Sequence, residues 1–197
     1  MPKGYDKVVW QAEGFQDQTS AGVTLTYRSP DGEEGYPGNL NIKVIYSLNE
    51  DNELKIEYWA ETDKATPVNL THHGYWNLAG AGSGSILEHE LQLNCSNYLP
   101  VDAGLVPSGE IKSVKDTPMD FTSPKAIGRD MDHVPGGYDH CFLAAPSEPS
   151  SPGLRLVARV YEPKSGRAME VWTTKPGLQF YAGNFLDGVH GAGGGGF

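Results

Sequence analysis

The chain has 197 residues, 38% apolar and 20% charged, with 25 glycines and 14 prolines, which is enough for one substantial core and suits a loop-rich globular protein rather than a disordered one. Its formal net charge of -10 argues against nucleic acid or an anionic membrane as a partner, since both select a basic patch and the basic residues here never cluster beyond pairs. No apolar run approaches the roughly 18 residues of a membrane-spanning helix, so no membrane partner is expected.

The N-terminus, Met1 to Asp6, has no apolar segment of the secretory kind. Cys95 and Cys141 make neither a disulfide framework nor a C-x-x-C pair, and read as reduced thiols of a cytoplasmic protein.

The pattern is strand-like nearly throughout. Val23 to Tyr27 is β-branched and aromatic, and stops at the turn signal Ser29-Pro-Asp-Gly32. Leu40, Ile42, Val44, Tyr46 and Leu48 alternate with more polar neighbours, as in a half-buried strand. Asn49 to Asn52 is a polar turn, and Leu54, Ile56, Tyr58 and Ala60 alternate again, which predicts an antiparallel hairpin.

Next comes the densest stretch of chemistry, Asn69-Leu-Thr-His-His-Gly-Tyr-Trp-Asn-Leu-Ala-Gly80. It offers imidazoles for proton transfer, aromatic faces for a flat or sugar-like ligand, and amides for hydroxyl groups. Pro67 just before it favours an extended lead-in over a helix. Residues 79–85 are a small-residue loop.

His89 to Cys95 alternates as one further strand. From Tyr98 to Pro135 five prolines break any regular run, with a short helix expected from Asp120 through Ile127. Gly136-Gly-Tyr-Asp-His140 is a turn running into a strand through Leu143, and Pro146 to Pro152 is a surface linker. Residues 154–161 and 168–174 flank Pro163-Lys-Ser-Gly166 as a second hairpin, and 177–184 form the last strand before a glycine-rich end. No internal repeat and no helical apolar stripe is present. The expected fold is all-β, an antiparallel β-sandwich, organised as a single domain over residues 1–197.

Adjacent strand residues point to opposite faces, so His72 and His73 are poorly placed to chelate one ion, and no metal is assigned. Asp139 beside His140 could hold a sugar hydroxyl or orient an imidazole; accepting from the ring, it would keep the imidazole protonated near neutrality. Tyr75, Trp76, Phe180 and Tyr181 read first as core, because aromatics carry much of the burial in β proteins. Gln179, within an apolar alternation, hints at a ligand if its amide faces inward, whereas an outward amide carries no signal.

Asn69 to Gly80, Gly137-Tyr-Asp-His140, Thr174 to Gly188 and Asp31-Gly-Glu-Glu-Gly-Tyr-Pro-Gly38 together resemble the aldose 1-epimerases, or galactose mutarotases, in order and spacing along nearly the whole chain. The resemblance implies a galactose mutarotase-like supersandwich with its site in a groove across one sheet. It implies interconversion of the α and β anomers of hexoses such as glucose and galactose, with no cofactor and an aldohexose as the partner.

In that family a histidine protonates the ring oxygen while a glutamate takes the anomeric hydroxyl proton. The ring opens to the aldehyde, the C1–C2 bond rotates, and the ring recloses. His73 matches the acid, Asp139 the carboxylate that holds sugar hydroxyls, Gln179 a further substrate contact, and Tyr75 a residue lining the pocket; His72 is given no catalytic role.

The family's glutamate base and an upstream Asn-Arg pair and histidine have no match in these 197 residues. An incomplete domain is therefore expected, lacking N-terminal strands and a C-terminal segment, with impaired activity and marginal stability. The rival readings are a non-catalytic carbohydrate-binding or regulatory sandwich and a metal-dependent β-barrel enzyme.

Overall fold

A computed structural model describes residues 3–144 and 153–186. The linker expected at Pro146 to Pro152 and the glycine-rich end from Asp187 lie outside the described residues. Two compact units are distinguishable, Met1–Gly74 and Tyr75–Phe197, and the division falls inside the Asn69–Gly80 motif.

The first unit is a four-stranded antiparallel meander: β1 (Gln11–Gln16), β2 (Ser20–Ser29), β3 (Leu40–Asn49) and β4 (Leu54–Thr62), paired in that order. The expected hairpin is β3–β4, in register from Leu40 opposite Thr62 to Leu48 opposite Leu54. Its turn is locked by Asn49, whose side-chain oxygen accepts from the backbone N–H groups of Asp51 and Glu53 at 3.0 and 2.9 Å. This is a local Asx-type device.

Alternation on β3 buries Leu40, Ile42 and Val44 against Leu25, Tyr27, Ile56, Tyr58 and Leu70. The opposite face stays wet, with Trp59 60% exposed and the Lys43 ammonium 5.1 Å from its ring centroid. β1 had no counterpart in the sequence pattern. It is an edge strand whose residues are nearly all exposed, so no apolar alternation marks it.

The second unit contains two four-stranded antiparallel sheets. One is built from β5 (Glu90–Leu93), β8 (Lys125–Ala126), β10 (Arg155–Tyr161) and β11 (Ala168–Thr173), in the order β11-β10-β5-β8. The other comprises β6 (Cys95–Leu99), β7 (Lys112–Ser113), β9 (Asp139–Ala144) and β12 (Gly177–Tyr181), in the order β12-β9-β6-β7.

Both sheets feed one core, in which Leu91, Leu93 and Val157 meet Cys95, Phe142 and the loop residues Phe121 and Tyr138. This is the antiparallel sandwich that the alternation predicted. Burial of each large apolar side chain in such a core stabilises it by roughly 1.5–3 kcal/mol.

Two expectations are corrected. The run from His89 to Cys95 is not one strand but two, in different sheets. Asn94 breaks it: its N–H donates to the Val157 carbonyl at 2.9 Å and its side-chain amide to the Leu156 carbonyl at 3.1 Å, where the β10 register shifts. The chain thereby turns from one layer into the other.

Nor does a helix run from Asp120 to Ile127. The Asp120 carboxylate instead caps Thr122, accepting from its N–H and its hydroxyl at 3.0 and 2.6 Å. A 3₁₀ helix begins at Ile127 and ends at His133.

Cys95 is buried and carries a thiol pushed up to about 11 by that burial, while Cys141 is partly buried; both are free.

Candidate functional site

Two consecutive left-handed glycines set the geometry. Gly136 and Gly137 have φ of 78° and 77°, a conformation that costs a residue with a Cβ. A Cβ on Gly137 would also collide with the Asn184 side chain, whose amide donates to the Tyr138 carbonyl at 2.9 Å. The turn is thus clamped against the segment after β12, and Asp139 emerges as the first residue of β9, directly opposite Tyr181.

Paired residues on neighbouring antiparallel strands share a face, and so do residues two apart. Asp139, Tyr181, Gln179 and Cys141 therefore line one side of the β9–β12 ladder. Tyr138, His140, Phe142 and Phe180 occupy the other, in contact with the core or within it. On the outer side the Gln179 amide donates to an Asp139 carboxylate oxygen at 2.7 Å. Gln179 is exposed and Asp139 half-buried, so the remaining amide and carboxylate capacity faces solvent, where a polyhydroxylated ligand could meet both.

The tyrosine expected from the motif stands beside this pair. The Tyr75 and Tyr181 rings meet edge to face with centroids 6.1 Å apart, and Tyr181 stacks on Phe185 at 6.4 Å with an interplanar angle of 19°. Tyr75 is 49% exposed and Trp76 52%, so these two are surface aromatics and the expectation of core is corrected for them. It holds for Phe180, which packs against the buried cluster of the second unit.

Within the first unit, His73 is exposed, in a stretch with no strand that follows β4. Its neighbour His72 has a structural task. The His72 ring lies edge-on to Tyr46 of β3 at 5.9 Å, and its Nδ1 accepts from the Gly74 N–H at 3.3 Å. A Cβ on Gly74 would strike that ring, which accounts for the glycine.

The idea that Asp139 keeps His140 protonated is overturned. His140 points to the interior, its Nδ1 accepts from the Asp139 N–H at 3.1 Å, and burial pushes its pKa down against the opposing pull of the Asp139 charge. The Asp139 carboxylate serves Gln179 instead.

Asn77 is likewise not available as a hydroxyl-binding amide. Its side chain donates to the Gly84 carbonyl at 2.8 Å and accepts from the Ala79 N–H at 3.0 Å, closing the small-residue loop. The Asp120 carboxylate is committed to Thr122, and that hydrogen bond lowers its pKa.

Other groups that the sequence did not single out hold the end of the motif. The Leu78 N–H donates to Nε2 of His89 at 3.1 Å, and the Leu78 carbonyl accepts from Arg167 at 2.9 Å and from the Ser165 hydroxyl at 3.3 Å. His89 is 2% exposed, and burial lowers its pKa, so its ring is neutral and can accept. Glu162, 3% exposed, shapes the β10–β11 turn by accepting from the N–H groups of Lys164 and Ser165 at 3.0 and 2.6 Å. Hydrogen bonding to Ser165, first of all, brings its carboxyl down to about 2. The contacts of Leu78 with Ser165 and Arg167 join segments nearly ninety residues apart, so no alternation could have marked them.

Among the described residues no group of three or more His, Cys, Asp or Glu side chains is disposed to hold a metal ion.

Comparison with known proteins adds a family. The model of the aldose 1-epimerase family matches residues 3–195. The chain is 47% identical over 189 residues to the galactose mutarotase of Bos taurus, which covers 95% of this chain and 52% of that protein. It is 40% identical over 193 residues to the aldose 1-epimerase of Escherichia coli (strain K12), covering 95% of this chain and 54% of that one. Among solved structures, the galactose 1-epimerase from Lactobacillus acidophilus NCFM superposes with a TM-score of 0.79 at 32% identity, over 92% of this chain and 52% of that structure. The chain spans about half the length of the curated relatives it matches.

Proposed function

The chain belongs to the aldose 1-epimerase family, and from that premise we propose that the protein it represents interconverts the α and β anomers of aldohexoses such as galactose and glucose. The observation that carries this reading is the Gln179–Asp139 pair on the outer side of the β9–β12 ladder. A carboxylate and an amide already joined to one another present a combined donor and acceptor edge, the complement of vicinal hydroxyls on a pyranose.

In this reading His73 gives its proton to the ring oxygen, Asp139 and Gln179 hold the hydroxyls, and Tyr75 lines the pocket. The base that removes the anomeric proton is the glutamate that the family resemblance implies. Opening and reclosing move only protons and the C1–O5 bond, so no cofactor or metal takes part. The chain is read as one aldose 1-epimerase-like sandwich domain, with an aldohexose, rather than nucleic acid, as the partner.

Polarimetry of freshly dissolved α-glucose or α-galactose tests the proposal. Acceleration over buffer by the protein, falling by about 10²–10⁴-fold in His73→Ala, is the expected outcome for the loss of one positioned acid. Sugar binding with no acceleration in the complete protein would overturn it in favour of a carbohydrate-binding module.

A further inference from the structure

We infer that Tyr181 and Phe185, together with Tyr75, form an aromatic shelf that takes the C–H face of the same pyranose whose hydroxyls Asp139 and Gln179 hold. The inference rests on the proposed function and adds the residues that grip the apolar side of the sugar.

Three observations meet at this place. First, Tyr181 stands directly opposite Asp139 and two residues from Gln179, so its side chain leaves the sheet on the same side as the polar pair. Second, Tyr181 contacts both other rings, Tyr75 edge to face and Phe185 stacked, so the three are linked rather than dispersed. Third, they are not core: Phe185 is 62% exposed and Tyr75 49%, although a phenylalanine leaving the end of a β-strand normally finds an interior. Phe185 is held outward, since its backbone N–H donates to the Tyr181 hydroxyl at 2.8 Å and ties the turn to that ring.

A pyranose is amphipathic in the matching sense. Its rim carries hydroxyls, while its axial hydrogens give it an apolar face that packs on aromatic rings. A surface with a carboxylate–amide edge and exposed rings beside it is complementary to both at once. A flat apolar ligand would leave the Asp139 charge unused, and a purely ionic one would leave the rings uncovered.

The reaction sharpens the assignment. An epimerase has to hold both anomers, and a ring pressed on the substituents of C1 would favour one of them. The shelf therefore engages carbons whose configuration the reaction leaves alone. Removing it should weaken both anomers alike and raise KM while kcat stays near its original value, the behaviour of a contact made equally in ground and transition states.

The test uses a ligand that cannot mutarotate. 1,5-Anhydroglucitol and 1,5-anhydrogalactitol lack the anomeric hydroxyl, so binding is read apart from turnover. Saturation-transfer NMR should show the strongest transfer to ring hydrogens away from C1. Phe185→Ala, which removes an exposed side chain, and Tyr181→Leu should each weaken binding about three- to ten-fold, the range for an aromatic contact of ~0.5–1.5 kcal/mol. Tyr181→Phe, which keeps the ring but removes the acceptor that ties the Phe185 turn, should weaken binding less than Tyr181→Leu.

If the unaltered protein binds the anhydrohexitols and both Phe185→Ala and Tyr181→Leu bind as tightly, the shelf is refuted while the function stands. Strongest transfer at C1 would likewise refute it. If neither anhydrohexitol nor hexose binds the unaltered protein, function and shelf fall together.

Discussion

The two units contrast in what their strands bury. β2 and β3 are ten residues long and paired in unbroken register, yet among the described residues of the first unit the buried apolar side chains are only Leu40, Ile42 and Val44. The second unit has shorter strands, two register shifts and two two-residue ladders, and it sequesters a core reaching from Leu91 to Ala158. Regular hydrogen bonding and burial are thus separate achievements. A single twisted sheet covers one face at best, whereas two layers exclude water from the space between them. The ligand-facing pair sits on the thicker unit, where Asp139 and Gln179 are backed by Phe142 and Phe180 on the core side of the same two strands.

The largest test of this contrast is a core truncation on each side. Phe142 has no exposed surface, and Phe142→Ala should cost ~3–5 kcal/mol by urea denaturation, against ~0.5–1.5 kcal/mol for Ile42→Val in the first unit. Equal sensitivity would erase the distinction.

A second, intermediate effect is expected with pH. His89 and His140 are buried, and their folded pKa values lie below the ordinary 6.5. The unfolded chain therefore takes up protons first as pH falls through 6.5, so their contribution is complete above that value and declines below it. Glu162 acts in a lower window: its carboxyl falls from 4.5 to about 2 on folding, so its contribution is present above 4.5 and is lost as pH drops toward 2. Thermal melting followed from pH 8 to pH 3 should show a plateau, a decline starting near 6.5, and a steeper one below 4.5. His89→Gln should flatten the first decline.

The smallest effect belongs to the wet face of the first unit. Lys43→Ala removes a cation from above an exposed Trp59 ring and should change stability by no more than about 0.5–1 kcal/mol, with a shift in tryptophan emission as the accompanying sign.

Much of this molecule was legible beforehand because hairpins are local. Asn49 and its polar neighbours announced the β3–β4 turn, Pro163 to Gly166 announced β10–β11, and the double glycine before Tyr138 announced a sharp entry into β9. The helix expected after Asp120 failed because a short polar side chain found its own backbone partner at Thr122 first. Of the candidate site, the pairing of Asp139 with Gln179 spans forty residues and has no signature in either segment alone.

Sequence by itself determined most of the longer strands, most of their turns, and the family to which the motifs belong, since alternation and turn chemistry act over a few residues. Tertiary structure alone decided which face of each strand meets a second layer. That choice sent His140 inward as a neutral ring, left Tyr75 and Trp76 at the surface, and split the run around Asn94 between two sheets. Alternation supplies two faces of opposite polarity, but water is excluded from one of them only when another sheet, distant in the chain, arrives to cover it.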